Sequence, residues 1–157
     1  MYKQIRAIVM AVSCVVAVIG SQQVVQATAT VAPAPKVLYM DAYAGTPDPQ
    51  LYVSGYLDAK TPGTFTVCND SIQFFGSVVK YQFFAADSKG AIHTTVWLSG
   101  VVYDWNGNQG PQSTARIDVT KYANGSYSFG ATINPGTTLV SSAAKELPWS
   151  GGNLVMK

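Results

Sequence analysis

The sequence has few of the residues on which most catalytic and metal sites depend. Its 157 residues include two cysteines, one histidine (His93) and one glutamate (Glu146). A zinc site of cysteine and histidine needs about four such ligands, so a single chain does not supply it. Charged residues make up 11% of the chain, against roughly 25% in an ordinary domain. A chain this poor in charge and this rich in apolar residues is neither disordered nor a long solvent-exposed helix.

Residues 1–29 have the pattern of a secretory signal peptide. Lys3 and Arg6 precede an uncharged apolar run over residues 7–20, and Ala27-Thr28-Ala29 matches the small-residue pattern before a cleavage site. The apolar run is shorter than the roughly 20 residues that cross a bilayer as a helix. We therefore expect cleavage after Ala29, no membrane span in the mature chain, and a location that is secreted, periplasmic or at the cell surface.

Cleavage at this point would leave a mature chain without net charge. Of the 10 basic residues, removal of Lys3 and Arg6 leaves 8 against 8 acidic ones. Nucleic-acid binding needs clustered positive charge, so we expect no nucleic-acid partner. Cleavage also removes Cys14, and Cys68 then has no partner for an internal disulfide. No cofactor is expected, and the oligomeric state is left open.

The mature sequence is typical of an all-β domain. Glycine, proline, asparagine and aspartate recur at intervals of roughly 8–12 residues, with β-branched and aromatic residues between them. This spacing predicts an antiparallel β-sandwich of about eight strands, immunoglobulin-like or jelly-roll-like. We assign residues 30–36 to an Ala/Pro tether, 37–147 to the domain and 148–157 to a loosely ordered C-terminal tail. The predicted strands are 37–43, 50–58, 64–68, 76–86, 91–105, 114–120, 126–133 and 137–141. An interior glycine predicts a β-bulge near Ser99-Gly100, and Val79, Tyr81 and Phe83 are predicted to share one face of their strand.

A short stretch near the C-terminal third resembles a known family. Asn124-Gly125-Ser126-Tyr127-Ser128-Phe129 is similar to the tyrosine corner of bacterial immunoglobulin-like β-sandwiches. In those domains a Gly-x-Tyr stretch leads into the strand that packs across the core, often with a cysteine two residues after the tyrosine. Phe129 takes that place here. The resemblance implies the sandwich fold and no activity, and the same residues also suit an Asn-Gly hairpin turn.

Two sets of aromatic residues are candidates for ligand binding. Trp97, Tyr103 and Trp105 share one strand face if the alternation stays regular, because their numbers differ by even steps. Tyr52 and Tyr56 lie on the polar face of their strand, as Tyr39 and Tyr43 do on the strand before. If these two strands pair, the four tyrosines form one exposed patch. Aromatic rings on a surface stack against sugars or anchor a protein partner.

Three further groups of residues are candidates for a metal site or a catalytic site. Asp104, Asn106 and Asn108 offer oxygen atoms at alternate positions, as a calcium loop does, although Asp-x-Asn-Gly-Asn is also ordinary turn chemistry. His93 with a serine or cysteine nucleophile would form a hydrolytic centre, but no Gly-x-Ser-x-Gly motif accompanies it. Paired aspartates are a second hydrolytic option. The aspartates are scattered, and most fall at turns: Asp41, Asp48, Asp58, Asp70, Asp87, Asp104 and Asp118.

The sequence thus favours an exported binding or surface-interaction module that uses aromatic contacts to carbohydrate or protein. Too few proton-transferring groups are present to favour an enzyme, and the question of catalysis stays open. The alternatives are a small secreted hydrolase that uses paired aspartates or His93, and a structural subunit of a pilus, coat or capsule. The exposure of Trp97, Tyr103 and Trp105 is the observation that separates a binding surface from a core.

Overall fold

The computed structural model describes residues 32–46, 50–134, 137–138 and 146–157. Within these residues the chain forms strands and turns and contains no helix. The part described likewise holds no helix with the length and apolarity needed to cross a membrane. The predicted signal peptide lies outside the described residues. The strands are β1 (Val37–Ala44), β2 (Leu51–Asp58), β3 (Pro62–Cys68), β4 (Ile72–Phe83), β5 (Ile92–Asp104), β6 (Gln109–Lys121), β7 (Tyr127–Asn134), β8 (Thr137–Thr138) and β9 (Leu147–Met156).

The nine strands of the described residues form one antiparallel sheet that closes on itself. From β1 to β7 each strand pairs with the next one along the chain, and β9 lies between β1 and β7. The β6–β7 pairing completes the ring, and the two-residue β8 extends β7. The prediction of an all-β, antiparallel fold is confirmed. The division into the two sheets of a sandwich is not confirmed, because a single sheet contains every strand.

The interior of the closed sheet is filled by apolar side chains. Strand residues alternate between the two faces of a sheet, and in β1 the inward positions are Leu38, Met40, Ala42 and Ala44, all fully buried. The same alternation places the inward residues of β2, β6 and β7. The core is therefore packed with side chains rather than open. Its largest members are Phe65, Phe74, Phe129, Leu38, Met40, Leu51, Leu57, Leu98, Ile117 and Ile133.

Glycines on neighbouring strands leave space for aromatic rings in the core. Gly55 and Gly76 lie directly opposite Phe65 on the two neighbouring strands. A Cβ atom on Gly55 would lie 2.3 Å from the Phe65 ring, and one on Gly76 would lie 2.5 Å from the Phe74 ring. Both rings therefore lie flat over glycine backbone on the inner face. The strand glycines are packing positions, which explains why a residue that otherwise weakens strands occurs here.

Two irregularities in β4 and β5 differ from the sequence prediction. A bulge was expected near Ser99-Gly100, but the register shifts lie between Val78 and Lys80 and between Val101 and Tyr103. Val79, Tyr81 and Phe83 were predicted to share one face of β4, and the register shift separates Val79 from the other two. Val79 is 63% exposed, whereas Tyr81 and Phe83 pack against the core. An extra residue reverses the facing of those after it, so the alternation counted along β4 fails at this point.

The C-terminal segment was expected to be a loosely ordered tail from residue 148. It is instead β9, which pairs with β1 from Leu38–Met156 to Ala44–Trp149. Leu154 and Met156 point into the core, and Gly152 has a φ of 81°. A Cβ atom there would lie 2.2 Å from the Asp41 carbonyl oxygen. The segment therefore belongs to the domain, and its glycine permits close approach to β1.

The stretch that resembles a tyrosine corner forms a hairpin turn. It joins β6 to β7, which pair directly with each other. Gly125 has a φ of 84° and donates from its N–H to the Tyr122 carbonyl. The Asn124 side-chain oxygen accepts hydrogen bonds from the Ser126 N–H and hydroxyl. The Asn-Gly turn chemistry therefore accounts for these residues.

The predicted tether is described from residue 32 and has no regular secondary structure. The Ala32 carbonyl accepts a hydrogen bond from the Ala86 N–H. At the other end the N–H groups of Lys36 and Val37 both donate to the carbonyl of Lys157. The described part of this segment therefore lies against the domain.

Candidate functional site

The tyrosines of β1 and β2 form paired rows on the outer face of the sheet. Tyr39 lies opposite Tyr56, and Tyr43 lies opposite Tyr52 with 4.9 Å between ring centroids. The two rows flank Asp41, whose carboxylate accepts a hydrogen bond of 2.7 Å from the Tyr52 hydroxyl. Tyr39, Tyr43 and Tyr56 are exposed. β1 and β2 therefore pair, which was the condition for a tyrosine patch, and three of the four tyrosines are exposed while Tyr52 is partly buried.

The row that contains Tyr43 and Tyr52 continues across three more strands. Tyr52 lies opposite Cys68 of β3, Cys68 opposite Gln73 of β4, and Gln73 opposite Tyr103 of β5. Strands lie about 4.8 Å apart, so Tyr43 and Tyr103 are separated by about 19 Å along this row. The turns that follow β3 and β5 lie beside it. The outer face therefore carries aromatic residues at both ends of this row and polar residues between them.

An open groove of about 370 Å³ lies over the first part of this row. Tyr43 and Tyr52 line one side, and Trp105 lines the other. The polar groups between them come from Gln73 and from the β3–β4 turn. The groove is lined by Tyr43, Gln50, Leu51, Tyr52, Cys68, Asn69, Asp70, Gln73 and Trp105.

Trp105 is held in place although its ring is 54% exposed. Its Nε1–H donates a hydrogen bond of 3.1 Å to the carbonyl oxygen of Asn69. The β3–β4 turn is in turn closed by the Asn69 side-chain oxygen, which accepts from the N–H groups of Ser71 and Ile72. The indole is therefore fixed across two turns before any ligand arrives, and little side-chain entropy remains to be lost on binding.

The Asp104 carboxylate, a candidate calcium ligand, is engaged in closing the turn that carries Trp105. Asp104 Oδ1 accepts from the N–H groups of Asn106 and Asn108, and its Oδ2 accepts from the Asn108 side-chain amide. The hydrogen bonds from Asn108, and then that from Asn106, hold the pKa of the Asp104 carboxyl below its usual value. The carboxylate is thus used as a turn cap, and the Asn108 amide directs its N–H toward it.

A second groove of about 380 Å³ lies on the other side of Trp105. It shares Gln73 and Trp105 with the first groove. Phe75 and Tyr103 form its wall, in an edge-to-face contact with 5.7 Å between centroids. Asp104 and Gly107 complete it. Sequence analysis missed Gln73, Phe75, Asn69 and Asp70. Residues 73 and 75 occupy alternate positions in β4, and the pairing of β4 with β5 places both on the face of Tyr103. This alternation was the only sequence signal, and it applied to Gln73 and Phe75 alone.

The remaining two candidates lie away from the grooves. Trp97 is about 20 Å from Tyr103 along β5, at six residues of about 3.3 Å each. Lys80 Nζ lies 4.8 Å from the centroid of the Trp97 ring and the Arg116 guanidinium 5.9 Å from it, so its faces are occupied by cations. Tyr56 belongs to the outer tyrosine row and donates to Asp58. The alternation placed Trp97 and Tyr103 on one face, but the length of the strand separates them.

Cys68 lies on the floor of the first groove and is a free thiol. It is partly exposed, and burial raises the pKa of its thiol. The neutral thiol is therefore the dominant form near pH 7, and its reactivity is low. Its position makes it a natural reporter of whether the groove is filled.

His93 belongs to a hydrogen-bonded chain of side chains on β5, β6 and β7. Its Nδ1 lies 2.9 Å from Thr120 Oγ1, and its Nε2 lies 3.5 Å from Asp87 Oδ2. The Thr120 and Ser128 hydroxyls donate to the two carboxylate oxygens of Glu146. Thr120 is 3% exposed. The Thr120 hydroxyl beside His93 is thus buried and donates its hydrogen bond to the Glu146 carboxylate. A catalytic nucleophile would instead be accessible and would donate its hydrogen bond to the histidine.

Replacement of Glu146 by alanine is expected to destabilise the closure of the sheet. The described residues pair β7 with β9 through Ser128–Pro148 and Phe129–Leu147. Glu146, the residue before β9, accepts hydrogen bonds from Thr120 of β6 and Ser128 of β7. Without it two buried hydroxyls lose their acceptor, at a cost of about 2 kcal/mol. Urea unfolding of Glu146→Ala would measure this loss. Asp70→Ala, at an exposed turn, is the control that should stay near the wild type, and equal stability of the two variants would contradict the assignment.

Comparisons with known proteins place no further constraint on these sites. No protein-family model matches the chain, no curated protein matches it, and no solved structure matches it. Among the described residues no group of three or more histidine, cysteine, aspartate and glutamate side chains is arranged to hold a metal ion. The candidate site is therefore defined by its own geometry, which is two grooves separated by a fixed tryptophan.

Proposed function

We propose that the protein is an exported carbohydrate-binding module and that the groove between Tyr43, Tyr52 and Trp105 is its binding site. The observation that carries the proposal is the exposed Trp105 ring, which is hydrogen-bonded to Asn69 and lines one groove together with Tyr43 and Tyr52. Sugar rings have apolar faces that stack on aromatic rings and hydroxyls at their edges that need hydrogen-bond partners. Export is part of the proposal and rests on the pattern of residues 1–29.

The polar groups of the groove suit hydroxyl recognition. Gln50 and Gln73 each offer an amide donor and an amide acceptor, and the Asp70 carboxylate offers two acceptor oxygens. Each sugar hydroxyl both donates and accepts, so a mixed set of amides and one carboxylate satisfies it. A protein partner would instead favour a flatter surface with charged residues at its rim. The aromatic walls, together with the amide and carboxylate groups between them, favour carbohydrate.

Removal of the Trp105 ring is expected to weaken binding by about tenfold or more, since a central aromatic anchor contributes on the order of 2 kcal/mol. Trp105→Ala should therefore lose most of the affinity that a glycan array and calorimetry detect for the wild type. Trp105→Phe keeps an aromatic ring and loses the hydrogen bond to Asn69, and we expect a smaller loss.

Trp149→Ala is the matched control for this substitution. Trp149 is 39% exposed, packs against Tyr127 and lines neither groove. Its removal should leave glycan affinity within about twofold of the wild type. Wild-type protein that binds no member of a broad glycan array would contradict the proposed function, as would equal losses in Trp105→Ala and Trp149→Ala.

A further inference from the structure

The two grooves on either side of Trp105 belong to one surface. Both are lined by Gln73 and Trp105, and their volumes are nearly equal, about 370 and 380 Å³. Each has its own aromatic wall, formed by Tyr43 and Tyr52 in the first and by Phe75 and Tyr103 in the second. A ligand that fills one groove therefore ends against Trp105, at the entrance to the other.

We propose that the two grooves are consecutive subsites for one neutral, extended oligosaccharide chain, which passes Trp105 and occupies both. This inference rests on the proposed function and adds to it the length and the charge class of the ligand. The aromatic row from Tyr43 to Tyr103 extends over about 19 Å across five strands, a distance that a single sugar ring does not cover. A chain of several sugars is the ligand that uses both walls.

The charges of the groove residues favour neutral oligosaccharides over acidic ones. The described residues of the two grooves include Asp70 and Asp104 and contain no lysine, arginine or histidine. Asp70 is exposed at the β3–β4 turn, and Asp104 lies beside Trp105. A chain of uronic acids or sulfated sugars would bring negative charge to these carboxylates with no cation to offset it, which is unfavourable. An uncharged chain meets acceptors for its hydroxyls instead.

Two cations of the neighbouring strands lie against Trp97 and do not line the grooves. Lys80 and Arg116 lie on either side of Trp97, and Arg116 is also paired with Asp118 at 2.8 Å. This cluster lies about 20 Å from Tyr103 along β5. It therefore leaves the acidic character of the grooves unchanged, and the sheet separates a cationic region from the proposed binding surface.

The test measures affinity against chain length and charge. Calorimetry with neutral gluco-, manno- and N-acetylglucosamine oligosaccharides of one to six units would be compared with oligogalacturonates of the same lengths. We expect affinity for the neutral series that fits to rise by about tenfold or more between the single sugar and the longest chain, because the second groove adds its own aromatic contacts. Oligogalacturonates should bind at least about tenfold more weakly.

Two substitutions assign the length dependence to the grooves. Phe75→Ala, which changes the second groove and not the first, should lower the affinity for long chains about fivefold or more and leave short ones unchanged. Tyr43→Ala, in the first groove, should lower both. Phe84→Ala is the matched control, because Phe84 is similarly exposed, at 38% against 45% for Phe75, and lies outside both grooves. Alkylation of Cys68, followed by mass spectrometry, reports directly on the first groove and should slow when a chain is bound.

The outcomes separate the inference from the proposed function. Trp105-dependent binding that is equally tight for one sugar and for six, or that Phe75→Ala leaves unchanged for long chains, would overturn the two-subsite inference and leave carbohydrate binding standing. Acidic chains that bind as well as neutral ones would overturn its charge class. Absence of any sugar binding would overturn both. Length-dependent binding that protects Cys68 and depends on Phe75 supports the inference.

Discussion

Gly100→Ala is expected to destabilise the fold by about 3 kcal/mol or more, from the addition of a single methyl group. A Cβ atom at this position would lie 1.9 Å from the Phe75 carbonyl oxygen and 2.5 Å from the Gly76 Cα. Both are backbone atoms of β4, so no side-chain rotation relieves the contact. The β4 and β5 backbones would have to separate where they pair.

The control for Gly100 is another glycine of the same sheet. Gly151 of β9 has no heavy atom within 4 Å of the position its Cβ would take, so Gly151→Ala should change the free energy of unfolding by less than about 0.5 kcal/mol. Urea or thermal unfolding of the two variants measures the difference. Similar stability in both would show that β4 and β5 do not approach as closely as described.

Truncation of Phe65 to alanine is expected to cost about 3–5 kcal/mol, the usual range for a buried phenylalanine. The side chain is 1% exposed and belongs to the central cluster of the core. Its ring also lies against Gly55, where a Cβ atom would approach to 2.3 Å. Gly55→Ala alone should therefore cost about 1–3 kcal/mol through overpacking.

The effects of Phe65→Ala and Gly55→Ala on the free energy of unfolding are expected to be non-additive. Once the Phe65 ring is absent, a methyl group on Gly55 has room, and the double variant should lose less stability than the two single variants together. A double-mutant cycle from urea unfolding gives the coupling, which we expect to be about 1 kcal/mol or more. Strict additivity would mean that the ring does not lie over the glycine.

The alternation of residues predicted the parts of the fold that depend on local pattern. In β1 and β2 the apolar residues fall at every second position, and the structure has both strands in this register with the tyrosines paired outside. Asp58, Asp87 and Asp104 were expected as turn formers, and each accepts backbone N–H groups at a turn. Such features need only neighbours in the sequence, which is why the sequence reveals them.

The features that were missed depend on residues distant in the chain. The β9 segment, LPWSGGNLVM, has two adjacent glycines and an irregular pattern, and its strand character comes from pairing with β1 and from the burial of Leu154 and Met156. Trp97 shares a face with Tyr103, but cations from two neighbouring strands cover its ring. Gln73 and Phe75 become groove residues only through the pairing of β4 with β3 and β5.

The position of β9 also determines when folding can finish. Its ten residues lie between the first strand of the domain and the seventh, so ring closure joins segments about a hundred residues apart in sequence, and such high contact order slows folding. Until that happens, β1 and β7 each present an unsatisfied backbone edge open to intermolecular pairing. A nascent chain emerging from the ribosome thus stays incompletely protected from aggregation until β9 is synthesised.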